Sequence, residues 1–237
     1  MKDYFPDLYS DYKKEKFKED GSNYSSKPET PQIKQSVKTS LFSATKEDVI
    51  NQSNVIPAKN SNQASQYLNS RKIPKSKWKY FVHTDNYQEM AKKIGYSAWE
   101  KLPTDARLVT PLFNVNKELT GLQGRSYGDS QLRYSNISLV EGSNMFVPLD
   151  LDLTKPVYVT EGVYDAMMLD NCIASLNGDL SRVVKDPSMK SLQFVFVHDN
   201  EPKNQQILRS MEKSLEVGQV FIPDKTMTSK DLNELVV

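Results

Sequence analysis

From Pro156 onward the chain alternates short apolar runs with helical periods, and that alternation leaves few architectures open. Val157-Tyr158-Val159-Thr160, Cys172-Ile173-Ala174-Ser175-Leu176, Phe194-Val195-Phe196-Val197-His198 and Gln219-Val220-Phe221-Ile222 are dense in β-branched and aromatic residues, as buried strands are. Between them Val163–Leu169 and Asn204–Val217 read as helices, the second with Ile207, Leu208, Met211 and Leu215 on one face. Leu232–Val236 closes the chain as a last helix. Strand and helix in alternation predict a parallel sheet with helices on its faces.

Two of these strands end in acid. Thr160 leads into Glu161-Gly162, and His198 leads into Asp199-Asn200-Glu201. Strand C-termini of an open parallel sheet line one edge, where ligands bind. Glu161, Asp199 and Glu201 are therefore expected to converge, with Asp165 one helical turn beyond Glu161. Clustered carboxylates resist shared ionisation, and a hard divalent cation such as Mg²⁺ relieves that repulsion through oxygen ligands. Each motif also has an ordinary reading. Glu-Gly after a strand is common on surfaces, Asp-Asn before Pro202 is a turn former, and Asp231 in Thr228-Ser229-Lys230-Asp231 fits a helix cap as well as a third or outer-sphere acid.

The segment before Pro156 is different. Gln63 to Arg71 and Asn86 to Ile94 have helical patterns, the second with Met90, Ala91 and Ile94 on one face. Arg107 to Phe113, Leu119 to Arg125 and Ser138 to Glu141 read as strands, the first two joined by the turn Asn114-Val115-Asn116-Lys117. The fold class is thus α+β and α/β: a mixed antiparallel subdomain over 64–155, then a parallel, Rossmann-like subdomain over 156–237. Residues 1–20 carry a short charged helix. Residues 21–63, rich in Ser, Asn, Lys and Pro, read as a flexible linker, with a short helix between Leu41 and Ile56.

Charge has to be read locally, because 31 Lys and Arg nearly balance 30 Asp and Glu. Tyr67 to His83 holds Arg71, Lys72, Lys75, Lys77 and Lys79 without an acid, interleaved with Trp78, Tyr80 and Phe81. Bases neutralise phosphates and aromatic faces stack unpaired bases, so Lys75, Lys77, Trp78 and Lys79 are candidates for single-stranded DNA. The alternative is a solvated basic face around a core Trp. Arg125 follows Gly121-Leu122-Gln123-Gly124, where glycines admit close approach of a phosphate, and Arg133-Tyr134 follows soon after.

The single cysteine, Cys172, lies in an apolar run and reads as a buried strand residue, so neither a disulfide framework nor a zinc ribbon can be built from this sequence. Neither His83 nor His198 has a Ser or Cys at a recognisable spacing, so nucleophilic catalysis has no support. No apolar leader or span is visible, and a reducing intracellular setting is expected.

Together these residues resemble a known family. Glu161-Gly162-x-x-Asp165 after one strand and Asp199-x-Glu201 after another are similar to the TOPRIM domain of topoisomerases and bacterial-type primases. Arg107-Leu108-Val109-Thr110-Pro111-Leu112 followed by Gly121-Leu122-Gln123-Gly124-Arg125, with Arg133-Tyr134, resembles the strand pair of the primase catalytic core. Pro6-Asp7-Leu8-Tyr9, Ile73-Pro74-Lys75-x-Lys77-Trp78-Lys79-Tyr80, Asp199-Asn200-Glu201-Pro202 and Ser229-Lys230-Asp231 resemble, in the same order, segments of primases from T-even-like bacteriophages.

The resemblance implies Mg²⁺- or Mn²⁺-dependent synthesis of RNA primers, with Glu161, Asp199 and Glu201 as metal-binding catalytic acids and Asp165 and Asp231 beside them. It implies nucleotide or template contacts from Arg107, Arg125, Arg133, Tyr134 and Lys230. Single-stranded DNA, ribonucleoside triphosphates and a hexameric replicative helicase would be partners, in the cytoplasm of an infected host. The family's zinc-binding domain has no cysteines to form it here, so a separate zinc-binding subunit is one expectation, and loss or removal of that domain another. Relatives also continue beyond the position of Asp231. A TOPRIM nuclease and a non-catalytic replication-fork adaptor are the rival readings.

Overall fold

The computed structural model describes residues 55–140, 145–201, 203–224 and 226–236. The expected N-terminal helix, Pro6-Asp7-Leu8-Tyr9, most of the expected linker and its short helix lie outside the described residues.

The linker's end is part of the fold. Ile56–Pro57 (β1) pairs with Val82–Thr84 (β2), and Ser61 caps the helix Asn62–Ser70 (α1) by accepting from the Ala64 N–H at 3.3 Å. The polar residues that make 55–63 look like linker are its caps and edge, and Pro57, which lacks an N–H, suits a two-residue edge strand. Asn86 caps the next helix, Tyr87–Lys93 (α2), whose Tyr87, Met90 and Ala91 are buried. Arg107–Phe113 (β3) and Leu119–Ser126 (β4) form the expected hairpin, with Lys117 in the left-handed region at φ 66°. The next strand differs from expectation: Tyr134–Ser138 (β5), not Ser138 to Glu141, pairs along β4. The N–H groups of Leu139 and Val140 both turn to the Thr120 carbonyl, which ends the ladder. The antiparallel sheet is thus a meander in the order β1-β2-β3-β4-β5.

The second sheet is parallel throughout, as the alternation predicts. Val157–Thr160 (β6), Cys172–Ala174 (β7), Phe194–Val197 (β8) and Gln219–Phe221 (β9) lie in the order β7-β6-β8-β9. Strand order reverses between β6 and β8. Val163–Ala166 (α3) is shorter than predicted, and Gln205–Leu215 (α4) and Leu232–Val236 (α5) follow. On α4 the buried stripe is Leu208, Ser210, Met211 and Ser214, while Leu215 is exposed. Small hydroxyl residues let the helix lie close: Ser210 donates to the Gly178 carbonyl at 2.8 Å, and Ser214 Oγ meets His198 Nε2 at 3.1 Å.

An apolar cluster joins the two sheets. Leu68, Phe81, Leu108 and Leu112 from the first half pack with Val163, Tyr164, Met167 and Cys172 from the second, and the Phe81 and Tyr164 rings stack at 6.0 Å. Cys172 is buried as expected, and burial pushes its thiol up to about 12. No helix of the described residues is long and apolar enough to cross a membrane.

Candidate active site

Glu161 follows β6 and Asp199 follows β8, so both stand at the C-terminal ends of the two strands where the order reverses, the crevice position of open α/β sheets. Gly162 starts α3, and its missing Cβ leaves room for Asp165, since a β-carbon would sit 3.0 Å from Asp165 Oδ2. A third segment comes in from the C-terminal end. Asn200 Nδ2 donates to the carbonyls of Met227 (2.9 Å) and Ser229 (3.1 Å), and its backbone N–H donates to the Lys230 carbonyl at 2.6 Å. That clamp ties Lys230 and Asp231 to the end of β8. Asp231 accepts from the Glu234 N–H at 2.8 Å, so it caps α5, the cap being one of the readings its sequence context allows.

The carboxylates feel one another. Burial, reinforced by Asp231 and Asp199, pushes Asp165 up to about 7. Burial, then Glu161 and Asp231, pushes Asp199 up to about 6. Glu201 is treated differently: hydrogen bonds from Asn204 and Lys230 hold it below the ordinary range, with Lys230 Nζ 2.5 Å from Oε1. Lys230 is thus a partner of Glu201 and is in turn raised by it. Among the described residues no three of these groups are arranged to hold one ion as they stand. The donor set still fits a hard divalent cation in its chemistry: oxygen-only, partly buried, with neighbouring carboxylates outweighing Arg71 at Asp165 and Lys230 at Asp199.

Sequence reasoning missed Asn233. It is 2% exposed, donates from Nδ2 to the Arg71 carbonyl at 2.6 Å, and gives its backbone N–H to Asp165 Oδ1 at 3.2 Å. It anchors α5 to α1 and to the acid floor. An Asn on a five-residue helix carries no periodic signal that would reveal this.

The expected basic contacts divide. Arg107 is fully buried and belongs to the scaffold: Nε and Nη2 grip Asp105, while the guanidinium also donates to the carbonyls of Gly124 (3.1 Å) and Leu132 (2.7 Å). It fastens the β4–β5 loop and is not available to a nucleotide. Gly124 is explained by packing, because a β-carbon there would lie 2.6 Å from the Tyr87 ring, and one at Gly121 would lie 2.5 Å from the Ile137 carbonyl. Trp78 is also corrected: it is 9% exposed, packs in the joint core and spends its indole N–H on the Ile73 carbonyl at 3.0 Å, so it offers no stacking face. Lys77 pairs with Asp170 at 3.0 Å and Lys79 with Asp150 at 2.6 Å, across to the second half of the molecule. Lys75, Arg133 and Tyr134 are exposed, and Arg125 is half-buried.

The chain is similar along its whole length to the DNA primase of enterobacteria phage T4, with 31% identity over 245 residues that cover 100% of this chain and 68% of the relative. The chain belongs to the DNA primase family. No protein-family model matches it. Among solved structures, its primase fold resembles a DnaG primase catalytic domain bound to single-stranded DNA (TM-score 0.56, 14% identity, covering 79% of this chain and 73% of that one). It also resembles the RNA polymerase domain of Mycobacterium tuberculosis DnaG in complex with double-stranded DNA (TM-score 0.55, 18% identity, covering 80% and 73%). A third likeness is to the zinc-binding and RNA polymerase domains of Aquifex aeolicus primase (TM-score 0.54, 17% identity, 75% of this chain), of which the chain spans about half, 53%. These three likenesses show the fold, with its antiparallel sheet beside a parallel, TOPRIM-type sheet. Neither rival reading, a nuclease or a non-catalytic adaptor, is favoured by these relatives.

Proposed function

We propose that this primase-family chain synthesises short RNA primers on single-stranded DNA by Mg²⁺- or Mn²⁺-dependent nucleotidyl transfer. The observation that carries the reading is the set of mutually repelling carboxylates, Glu161, Asp165, Asp199 and Asp231, at the switch point between β6 and β8. Glu161, Asp199 and Glu201 would hold the metal, with Asp165 and Asp231 behind them. A bound divalent cation lowers the pKa of an attacking hydroxyl and neutralises charge on a departing pyrophosphate. The chain's own residues set the geometry: Gly162 admits Asp165, the Asn200 clamp holds Asp231, and Lys230 brings a positive charge beside Glu201. Arg125, Arg133 and Tyr134 would bind nucleotide or template phosphates, and Lys75 is the base of the 75–79 segment left open to a DNA strand.

Glu161→Gln is the direct test, because Glu161 is exposed and its loss does not disturb a core. Primer synthesis from labelled ribonucleotides on a single-stranded template is expected to disappear while the circular dichroism spectrum is unchanged. Undiminished primer yield would refute the proposal, and cut template in place of extension products would favour a nuclease. The same reading extends to a hexameric replicative helicase and a separate zinc-binding subunit as partners in the cytoplasm of an infected host. Stimulation of primer yield by either added component tests that extension.

A further inference from the structure

Arg125 is held in one orientation by two tyrosines, Tyr67 and Tyr134. Its Nε–H donates to the Tyr67 hydroxyl at 3.0 Å, and its guanidinium carbon lies 4.5 Å from the centre of the Tyr134 ring. A guanidinium has two edges that can grip an oxyanion in a fork, one through Nε and one through the two terminal nitrogens. Tyr67 closes the first edge. Among the described residues neither terminal nitrogen makes a hydrogen bond, so the end-on fork is left open while Tyr134 covers one face of the plane.

Tyr67 is itself restrained. Its ring meets Tyr127 edge-on at 5.6 Å and Tyr164 at 6.1 Å. The Tyr127 hydroxyl is fixed in turn by His83 Nδ1 at 2.8 Å, and the other ring nitrogen of His83 meets Asp85 at 2.9 Å. Tyr164 is locked in the joint core and directly precedes Asp165 in the chain. One hydroxyl on α1 therefore links an arginine on β4 to the helix that carries an acid of the site.

We infer that Tyr67 is a positioning residue: it fixes Arg125 so that only the end-on fork faces a phosphate of the incoming nucleotide or of the template. This rests on the reading of Arg125 as a phosphate contact. The shared ligand chemistry is a phosphate oxyanion, and two measurements separate its sources: KM for ribonucleotides at saturating template, and Kd for a single-stranded oligonucleotide.

The experiment is a double-mutant cycle of Tyr67→Phe, Arg125→Lys and the pair together, with primer-synthesis kinetics and DNA binding measured on each. Tyr67→Phe removes one oxygen and keeps the ring packing. It is expected to raise one of the two constants about fivefold, the size of one lost hydrogen bond, with kcat nearly unchanged. Arg125→Lys, which loses the planar fork, is expected to raise the same constant about tenfold or more. The decisive result is non-additivity: in the Arg125→Lys background, Tyr67→Phe should have no further effect. If Arg125→Lys is impaired and Tyr67→Phe matches the parent, Tyr67 does not position Arg125. An equal effect of Tyr67→Phe in both backgrounds also overturns the proposal, because the hydroxyl then acts through packing. An Arg125→Lys variant equal to the parent refutes the reading of Arg125 instead.

Discussion

The acids and the bases of this molecule are treated in opposite ways. Lys77, Lys79 and Arg107, all expected to meet nucleic acid, are engaged by Asp170, Asp150 and Asp105. Asp165 and Asp199, expected to meet metal, are left partly buried beside other carboxylates, and their proton affinities rise through burial first and then that repulsion. The difference teaches where a ligand belongs: it goes where the fold leaves like charges together, not where a run of one sign occurs in the sequence. Arg125 follows the same rule on the basic side, with its terminal nitrogens unclaimed among the described residues.

The largest expected effect breaks the acid side of that contrast. Asp199→Asn removes a charge that its neighbours repel. Primer synthesis should fall at least about 100-fold, the scale of losing one preorganised electrostatic contact. The metal-free protein should nevertheless melt a few degrees higher, and Mg²⁺ should no longer raise its melting point. Thermal scans with and without Mg²⁺ check both; a lower metal-free midpoint would mean that Asp199 is structurally required rather than frustrated.

The pH dependence sharpens the contrast more gently. Asp165 at about 7 and Asp199 at about 6 both lie above the ordinary 3.8, so the folded state binds protons more readily than the unfolded one. Stability from these groups is present at low pH and is lost as pH rises through 6 to 7. His198 works the other way: burial pushes it down to about 4, so its contribution is present above 6.5 and is lost as pH falls towards 4. In EDTA, the melting point should therefore rise between pH 8 and 6.5, where the acids dominate, and Mg²⁺ should flatten that slope. A metal-free midpoint that falls over the same interval contradicts the picture.

The smallest effect is on the basic side. Lys75→Gln should weaken single-stranded DNA binding and reduce its salt slope by about 1. Lys77→Gln should leave both unchanged and cost only about 0–1 kcal/mol of stability, because its ion pair is largely solvent-exposed on the Asp170 side. Equal losses of affinity in the two variants would show that DNA competes Lys77 away from Asp170.

Legibility followed the range of the interactions. The strands β6 and β8, their terminal acids and the Asn114–Lys117 turn are written in neighbouring residues, and the structure has them where the pattern puts them. Trp78 was ambiguous because an aromatic among lysines looks the same whether its ring turns in or out; the Ile73 carbonyl and the joint core decide it. Arg107 was misread because its scaffold partners Gly124 and Leu132 lie 17 and 25 residues away. Asn233 was invisible for the same reason, its amide reaching 162 residues back to Arg71. The β5 shift came from favouring the apolar Leu139-Val140 over a polar edge strand in which Ile137 alone is buried.

The stacked rings of Phe81 and Tyr164 carry one more consequence. Phe81 leads into β2 of the first sheet and Tyr164 lies on α3 behind β6 of the second, and both belong to the same apolar cluster. Folding of either half is therefore incomplete until the other arrives, and amide exchange in β3 and β6 should slow to a common rate set by global opening. The shared cluster opposes independent movement of the elements that carry Arg125 and the acids.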